Sequence, residues 1–549
     1  MKKLFIILCL NVIMTAVFTV VFAANPPQKM QIVPEPMQLH ETENHFAINT
    51  DTKLRFENLF PCDPTVHYII SNYQHFFGFL PDTANVQDDN CIVFERLIYD
   101  DKELGDEGYR ISVNNKEIRI IANSATGIFY GYQTLIQLTP ADLITQPQEQ
   151  FSIHGIEIID KPRFEWRGSH LDVCRHFFPV EYIKKHLDIM ALYKLNRFHW
   201  HLTDDHGWRI QIDKYPRLTE IGAWRVFRDT NWVNAQPAQP DEKATYGGFY
   251  TKEQVRDIVA YAAQRHIEVI PEIEIPGHCS AILVAYPQFA CDDYPYTIPV
   301  GPYWPPKAIL CGGNEAVMQF LKDVMDEIVP LFSSSYIHIG GDEALKGNWE
   351  KCPKCLKRMK KLHLKNPEQL QSAMIIEIEQ YLAGLGKQII GWDEILDGGV
   401  SRKATIMSWR GKEGAIHAAR HGNDAIMAPT SHCYFDYYQG DPKSEPVSIG
   451  GYLPLEKAYQ FEPVPQDSLT PEQAKHILGG QCNLWSEFLF NTQKVEYMLL
   501  PRLLALSEAV WSPKEKRNWE HFKQKITAQK VRLHTMGYNY SDSPVDMVK

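Results

Sequence analysis

The chain runs to 549 residues, 44% of them apolar and 22% charged; that excludes a disordered polymer and leaves room for more than one domain. Its 56 basic and 67 acidic side chains give a formal charge of −11 with no long basic run, which sets aside a nucleic-acid partner, since phosphate neutralisation needs clustered Lys and Arg. Aromatic residues reach 12%, enough to stack on sugars or to fill a core, and composition alone does not choose.

Lys2 and Lys3 precede an apolar run from Leu4 that closes on Ala23 and Ala24. The pattern predicts a secretory signal peptide over 1–24 and an exported chain, periplasmic, extracellular or at the cell surface, with an uncleaved anchor as the alternative. No later stretch reaches about 18 apolar residues, so no membrane span is expected in the mature chain. Residues 25–160 read as a smaller α+β domain. Tyr109, Ile111 and Val113 alternate with polar residues, Asn114-Asn115 marks a turn, and Ile118 and Ile120 resume the alternation; this is a β-hairpin, followed by a helix from Gly127 to Leu138. Of eleven cysteines, ten follow the leader. Cys62 with Cys91, and Cys291 with Cys311, are candidate pairs. Cys352-Pro353-Lys354-Cys355 reads as a disulfide or as free thiols, because zinc would need a second pair or histidines close by.

Asp160-Lys161-Pro162-Arg163 reads as a linker into a second domain over 161–549. There, eight short apolar strands are expected: Gly168–Cys174, Arg197–Leu202, Ile267–Ile270, Tyr336–Ile339, Gln388–Gly391, Thr405–Ser408, Asp424–Met427 and Gly480–Leu484. Amphipathic helices fall between them. Ile183, Leu187, Met190 and Ala191 share one face; Val255, Ile258, Val259 and Ala262 share another, behind a capping box of Thr251 and Gln254. Val317, Phe320, Leu321 and Val324 repeat the spacing, and Asn366-Pro367 starts a further helix. Eight strand–helix units predict an α/β fold, a (β/α)8 TIM barrel, with a doubly wound open sheet as the alternative. No glycine fingerprint follows the first strand, so nucleotide binding has little support.

In such a barrel the site lies at the C-terminal ends of the strands. Asp172 and Arg175 follow the first strand, Asp204 and Asp205 the second, Glu272, Glu274 and His278 the third, Asp342 and Glu343 the fourth. Trp392, Asp393 and Glu394 follow the fifth, Trp409 and Arg410 the sixth, Tyr434 and Asp436 the seventh, Trp485 and Glu487 the eighth. Carboxylates, tryptophans and one arginine on a single rim suit glycoside hydrolysis, which needs an acid for the departing oxygen and something anionic or nucleophilic at the oxocarbenium-like centre. Asp342-Glu343 is the acid candidate, with Gly340 and Gly341 allowing close approach. Adjacent Cα atoms are only ~3.8 Å apart, so these two cannot bracket a sugar from opposite faces. One acid plus a helper follows, with the nucleophile elsewhere, in the substrate itself as one option.

His338-Ile339-Gly340-Gly341-Asp342-Glu343 resembles the signature of glycoside hydrolase family 20, the β-N-acetylhexosaminidases. Arg163 to Gly168, Leu171 to Phe177, His199 to Asp205, Pro271 to His278, Gly391 to Glu394, Ser408 to Gly411 and Leu484 to Glu487 resemble its other blocks, in order. The resemblance implies that Glu343 is the general acid and later the base. Asp342 would hold the 2-acetamido N–H while the acetamido oxygen attacks C1 to form an oxazolinium ring. Tyr434 would donate to the acetamido carbonyl, and Trp392, Trp409 and Trp485 would wall the sugar and raise the Glu343 pKa. Arg175, Asp436 and Glu487 would bind outer hydroxyls, and His278 and Asp204 would relay to Glu343. Asp205 is the alternative to Asp204, disfavoured because strand alternation turns neighbours apart; Asp172 is expected as a buried partner of Arg175, Asp393 and Glu394 as structural, and Trp392 as core if not wall.

The expected activity is exo-acting, retaining removal of terminal non-reducing β-N-acetylglucosamine or β-N-acetylgalactosamine from a glycan or glycoconjugate, by a monomer or homodimer with no metal or organic cofactor. Two rivals stand beside it. The His199-x-His201 pair on a strand fits a metal-dependent amidohydrolase, and the same scaffold can serve a non-catalytic glycan binder.

Overall fold

The computed structural model describes residues 31–83, 89–228, 234–239, 241–301 and 308–542; the expected leader over 1–24 lies outside them. The chain first builds a six-stranded sheet from β1 (Gln38–Asn49), β2 (Lys53–Glu57), β3 (Cys91–Arg96), β4 (Tyr109–Val113), β5 (Glu117–Ala122) and β6 (Gln150–Asp160), in the order β1-β6-β4-β5-β3-β2. Helices α1 (Pro64–Phe77) and α2 (Ala125–Leu138) pack together, and α2 covers β3, β4 and β5. The expected hairpin is β4–β5, with Val113 opposite Ile118. Asn114 closes it by accepting from the Lys116 and Glu117 N–H groups. The helix starts two residues before its expected position because Ser124 caps it, accepting from the Gly127 N–H.

Eight parallel strands then close into a barrel: β7 (Trp166–Asp172), β8 (Arg197–His201), β9 (Glu268–Glu272), β10 (Tyr336–His338), β11 (Gln388–Trp392), β12 (Thr405–Ser408), β13 (Ala425–Met427) and β14 (Ile477–Cys482). β14 pairs back onto β7, so the open sheet is excluded. All eight expected strands exist, with ends displaced by up to three residues. β14 starts early because its glycines are strand residues: a Cβ on Gly479 would meet the Trp166 carbonyl oxygen at 2.0 Å, so the glycine permits strand contact and is no break.

Alternation sorts each strand between the helices outside and the barrel lumen. On β8, Phe198 meets His186 of the helix Val180–Leu192 and Trp200 meets Tyr250, while His199 and His201 turn inward. The lumen has two zones. Trp166, Ile270, Ile390, Met407, Ile426 and Leu478 form a dry core capped by Trp392. Nearby lies a buried polar layer of His170, His199, His201, Glu272, His338 and Gln481.

Asp160, expected in a linker, is a fully buried hub. It accepts from Tyr109 Oη at 2.5 Å, Lys194 Nζ at 3.0 Å and Trp511 Nε1 at 3.0 Å, joining the six-stranded sheet to the barrel. Arg167 of β7 adds a second tie, donating to both Glu107 oxygens at 3.0 and 2.7 Å. The candidate cysteine pairs Cys62–Cys91 and Cys291–Cys311 are not joined as disulfides. Ten cysteines among the described residues are free; Cys62 is exposed ahead of α1 while Cys91 is buried inside β3.

Candidate active site

Beyond β10 the chain turns through Ile339, Gly340 and Gly341 into Asp342 and Glu343. Gly340 has φ +62°, and a Cβ there would meet Glu274 Oε2 at 1.8 Å. Only glycine lets this segment ride over the Glu274 carboxyl. Glu343 itself sits at φ +46° and His278 at φ +45°. Non-glycine residues held there cost about 1–3 kcal/mol each, a strain that clusters at functional sites.

These residues open onto a pocket of about 130 Å³ at the C-terminal mouth of the barrel. Of the eleven site residues the sequence suggested, ten line it: Arg175, His278, Asp342, Glu343, Trp392, Trp409, Tyr434, Asp436, Trp485 and Glu487. Asp204 lies behind the wall. Tyr437 and Ile449 line the pocket too and were not anticipated; they sit past the seventh strand's rim motif, where no pattern marked them.

Three indoles and a phenol form the walls. Trp392 and Trp485 have ring centroids 5.8 Å apart, and Trp409 stacks with Tyr434 at 6.1 Å. Trp392 is both wall and core: it is 1% exposed, packs on the dry cluster, and donates its indole N–H to Glu272 Oε1 at 2.8 Å. The Trp409 indole is held by Glu394 Oε2 at 2.9 Å, and Arg410 is held by Asp393 Oδ1 at 2.8 Å, so Asp393 and Glu394 support the rim.

Four buried polar atoms of pocket residues have no hydrogen-bond partner among the described residues: Arg175 Nε, Asp342 Oδ1, Asp436 Oδ1 and Glu487 Oε2. Buried polar groups are ordinarily bonded, so their convergence on one cavity marks it as built for a polar ligand. Arg175 is fixed for that task. Its guanidinium meets Asp172 Oδ2 at 3.1 Å, Asp204 Oδ2 at 3.0 Å and Glu487 Oε1 at 3.8 Å, and lies over the Trp485 ring at 5.1 Å. Asp172 is thus the buried arginine partner expected.

The relay differs from expectation. His278 Nδ1 is 3.3 Å from Asp205 Oδ2 and 3.6 Å from Asp204 Oδ2, so both carboxylates face it and Asp205 is nearer. Alternation misled here because β8 has ended: Thr203-Asp204 pairs antiparallel with Gly207-Trp208 in a tight reversal. Asp205 is anchored by Ser280, through its N–H at 2.9 Å and hydroxyl at 2.6 Å. Asp204 is a hub that binds Arg175 and His201 as well. On the other side, His278 Nε2 is 3.5 Å from Asp342 Oδ2 and 3.7 Å from Glu343 Oε2.

Glu272 and Glu274, read from the sequence as rim residues, are fully buried. Glu272 ends β9 and gathers His199 at 3.1 Å, His338 at 2.9 Å and His201. This is where the HxH pair goes. Both nitrogens of His201 face carboxylates, Glu272 and Asp204, and Trp392 and Trp485 pack over the cluster. A catalytic metal needs a ligand set with one face open to substrate, and this cluster is covered by indoles and internally paired.

The charges order themselves accordingly. Burial raises the Glu343 pKa, and the adjacent Asp342 carboxylate raises it further. Burial also lifts Asp436 and Glu487, and lifts Glu394 to about 8 with help from Asp342. Burial alone would raise Asp204, but Arg175 and His278 reverse that and hold it well below the usual range. Burial would lower His278, yet Asp204 and Asp342 push its pKa well above its ordinary value. The site therefore sets a Glu343 carboxyl whose pKa is raised by burial and by Asp342 beside a His278 whose pKa is raised by Asp204 and Asp342.

Comparison with known proteins gives one answer. Residues 164–514 match the catalytic domain of glycosyl hydrolase family 20, and residues 29–161 match its domain 2. The chain is 43% identical over 526 residues to a β-hexosaminidase of Porphyromonas gingivalis, covering 93% of this chain and 64% of that protein's length. It is 35% identical over 482 residues to a β-hexosaminidase of Vibrio furnissii, covering 87% and 76%. Among solved structures, the exo-β-N-acetylglucosaminidase of Vibrio harveyi, crystallised with N-acetylglucosamine, superposes with a TM-score of 0.82 at 32% identity, covering 93% of this chain and 78% of that one. The β-N-acetylhexosaminidase of Streptomyces coelicolor gives 0.81 at 30%, covering 95% and 99%.

Proposed function

The chain belongs to glycosyl hydrolase family 20, a family of glycosidases, and we propose that it is an exo-acting β-N-acetylhexosaminidase working by substrate-assisted retention. The substrate is a terminal, non-reducing β-linked N-acetylglucosamine or N-acetylgalactosamine on a glycan or glycoconjugate. Export through the 1–24 leader belongs to the same proposal.

One observation carries it. The acid Glu343 and its pocket neighbour Asp342 are consecutive in the chain, whereas direct-displacement retaining enzymes hold acid and nucleophile about 5–5.5 Å apart on opposite faces of the sugar. The missing nucleophile is then the acetamido oxygen of the substrate. The sugar enters with its outer hydroxyls against Arg175, Asp436 and Glu487, whose unpartnered atoms it satisfies. Asp342 accepts the acetamido N–H through its free oxygen, and the Tyr434 hydroxyl donates to the acetamido carbonyl. Glu343 gives its proton to the glycosidic oxygen while that carbonyl oxygen bonds to C1 and the C1–O bond breaks. Charge on the oxazolinium falls beside Asp342. Glu343, now a carboxylate, takes a proton from water as the water attacks C1, and the ring opens with net retention. His278, held by Asp204 and Asp205, faces both carboxyls and tunes when Glu343 releases and recovers its proton.

The test compares aryl N-acetyl-β-glucosaminides and β-galactosaminides with the aryl β-glucoside, and reads the first-formed anomer by proton NMR. Intramolecular attack is worth an effective molarity of about 10⁵ M or more, so the glucoside should be nearly inert and the first product should be the β-anomer. Comparable rates on glucoside and glucosaminide, or inversion, would sink the proposal.

A further inference from the structure

Four cysteines from three chain segments converge outside the pocket. Cys291, Cys311, Cys352 and Cys355 have sulfurs all within 4.8 Å of one another. Cys291–Cys355, Cys311–Cys352 and Cys311–Cys355 are each 3.7 Å apart. Cys311 and Cys355 are fully buried, Cys352 is 4% exposed, and Cys291 is partly covered. We propose that these four thiolates form a tetrahedral structural site for one zinc ion, independent of the glycosidase chemistry.

The geometry distinguishes the choices. A disulfide would bring two sulfurs to about 2.05 Å. Four thiolates on zinc at about 2.3 Å leave sulfur–sulfur edges of about 3.8 Å, the edge of a tetrahedron with those arms. Packed thiols could also touch at 3.7 Å in pairs, but here four from three chain segments share one centre, two of them as the C-x-x-C knuckle usual in zinc ribbons.

The surroundings suit a dianionic centre. Cys352 caps the helix Pro353–Lys361 and Cys355 lies in its first turn, so the positive end of the helix faces the thiolates. That helix carries Lys354, Lys357, Arg358, Lys360 and Lys361 and no acid. The Gly313 N–H is directed at the Cys311 sulfur. A Cβ on Gly313 would meet the Lys354 carbonyl carbon at 2.1 Å and Cys355 N at 2.2 Å, so glycine lets the two segments touch backbone to backbone. Binding converts four thiols and Zn²⁺ into a tetrathiolate complex and releases four protons, with no redox step.

The ion would staple two loops of the pocket. Trp349, six residues beyond Glu343, donates its indole N–H to the Leu310 carbonyl at 2.9 Å, and the Leu310 N–H donates to the Pro276 carbonyl at 3.0 Å, two residues before His278. Cys311 and Cys352 continue from these contacts.

The purified full chain, prepared without chelator, should contain about one zinc per chain by elemental mass spectrometry. Its zinc-edge X-ray absorption should show four sulfurs. An organomercurial should release the zinc in step with modification of Cys291, Cys311, Cys352 and Cys355, mapped by peptide mass. The Cys352→Ser, Cys355→Ser double variant should lose the metal; if it fails to fold, the titration of the native chain decides alone. A metal-free chain with these four cysteines as two disulfides or four free thiols would overturn the site. So would iron in place of zinc, or zinc with nitrogen and oxygen neighbours.

Discussion

Replacing Arg175 by methionine removes the cation on which the outer end of the pocket is organised. The guanidinium is 3% exposed and lies 3.1 Å from Asp172 and 3.0 Å from Asp204, both themselves buried. Glu487, at 3.8 Å, has its pKa raised by burial, so it adds less. The hydrogen bond to Asp172 and the ion pair with Asp204, at about 1.5–3 kcal/mol each, bound the loss. Methionine packing on Trp485 recovers part, leaving an expected destabilisation of about 3–5 kcal/mol, as for other broken buried pairs. The sign with pH follows from the carboxylates. Burial raises Asp172 and Asp204, but Arg175 together with His201 at Asp172, and with His278 and His201 at Asp204, reverses that and holds both low, so their stabilisation is present above the unfolded carboxyl pKa and lost as pH falls through the folded value. The variant's deficit is therefore full at pH 7 and shrinks as pH falls toward about 4, where the orphaned carboxyls take up protons. Guanidinium denaturation followed by tryptophan fluorescence at the two pH values measures it. A variant as stable as the parent at pH 7, or a deficit that does not shrink in acid, would refute the reasoning.

Other outcomes follow from the same geometry. Glu343→Gln should lower kcat by about 10²-fold or more with KM little changed, in steady-state assays with an aryl glycoside whose leaving group needs a proton. The alkaline limb of kcat/KM should lie above the ordinary glutamate value of about 4.3, because the acid must be protonated and burial and Asp342 raise its pKa; Asp342→Asn should move the limb of its residual activity to lower pH. Gly340→Ala forces a Cβ to within 1.8 Å of Glu274 Oε2 at φ +62°. It should cost about 1–3 kcal/mol in backbone strain alone and displace Glu343, seen as a lower Tm together with a lower kcat; an unchanged kcat would contradict the packing.

The barrel was legible because strands covered on both faces read as short apolar runs, and because chemistry-bearing residues followed each one. The pocket was legible for the same reason, and ten of its lining residues end a strand or lie in the segment that follows one. Reading failed where local rules lost to tertiary context. Glu272 looks like a rim carboxylate, yet it is the last residue of β9 and the anion of a buried histidine layer; that requires knowing that His199, His201 and His338 also point inward. The choice between Asp204 and Asp205 used strand alternation past the point where the strand ends. The knuckle at Cys352 and Cys355 was visible, but its partners lie 41 to 64 residues away, a distance no spacing rule bridges. Glu394 was read as structural, and it does hold Trp409, but its burial beside Asp342 makes it titrate near 8.

The participation of the substrate's own amide is the heart of the account. It is tested most directly by a series of aryl glucosaminides whose N-acetyl group carries none, one, two or three fluorines. Each fluorine draws electrons from the carbonyl oxygen while hardly altering the leaving group. If that oxygen attacks C1 in the pocket beside Asp342, kcat/KM falls steeply and regularly along the series. A flat series, or a glycosyl ester trapped on a protein carboxylate during turnover, would contradict it.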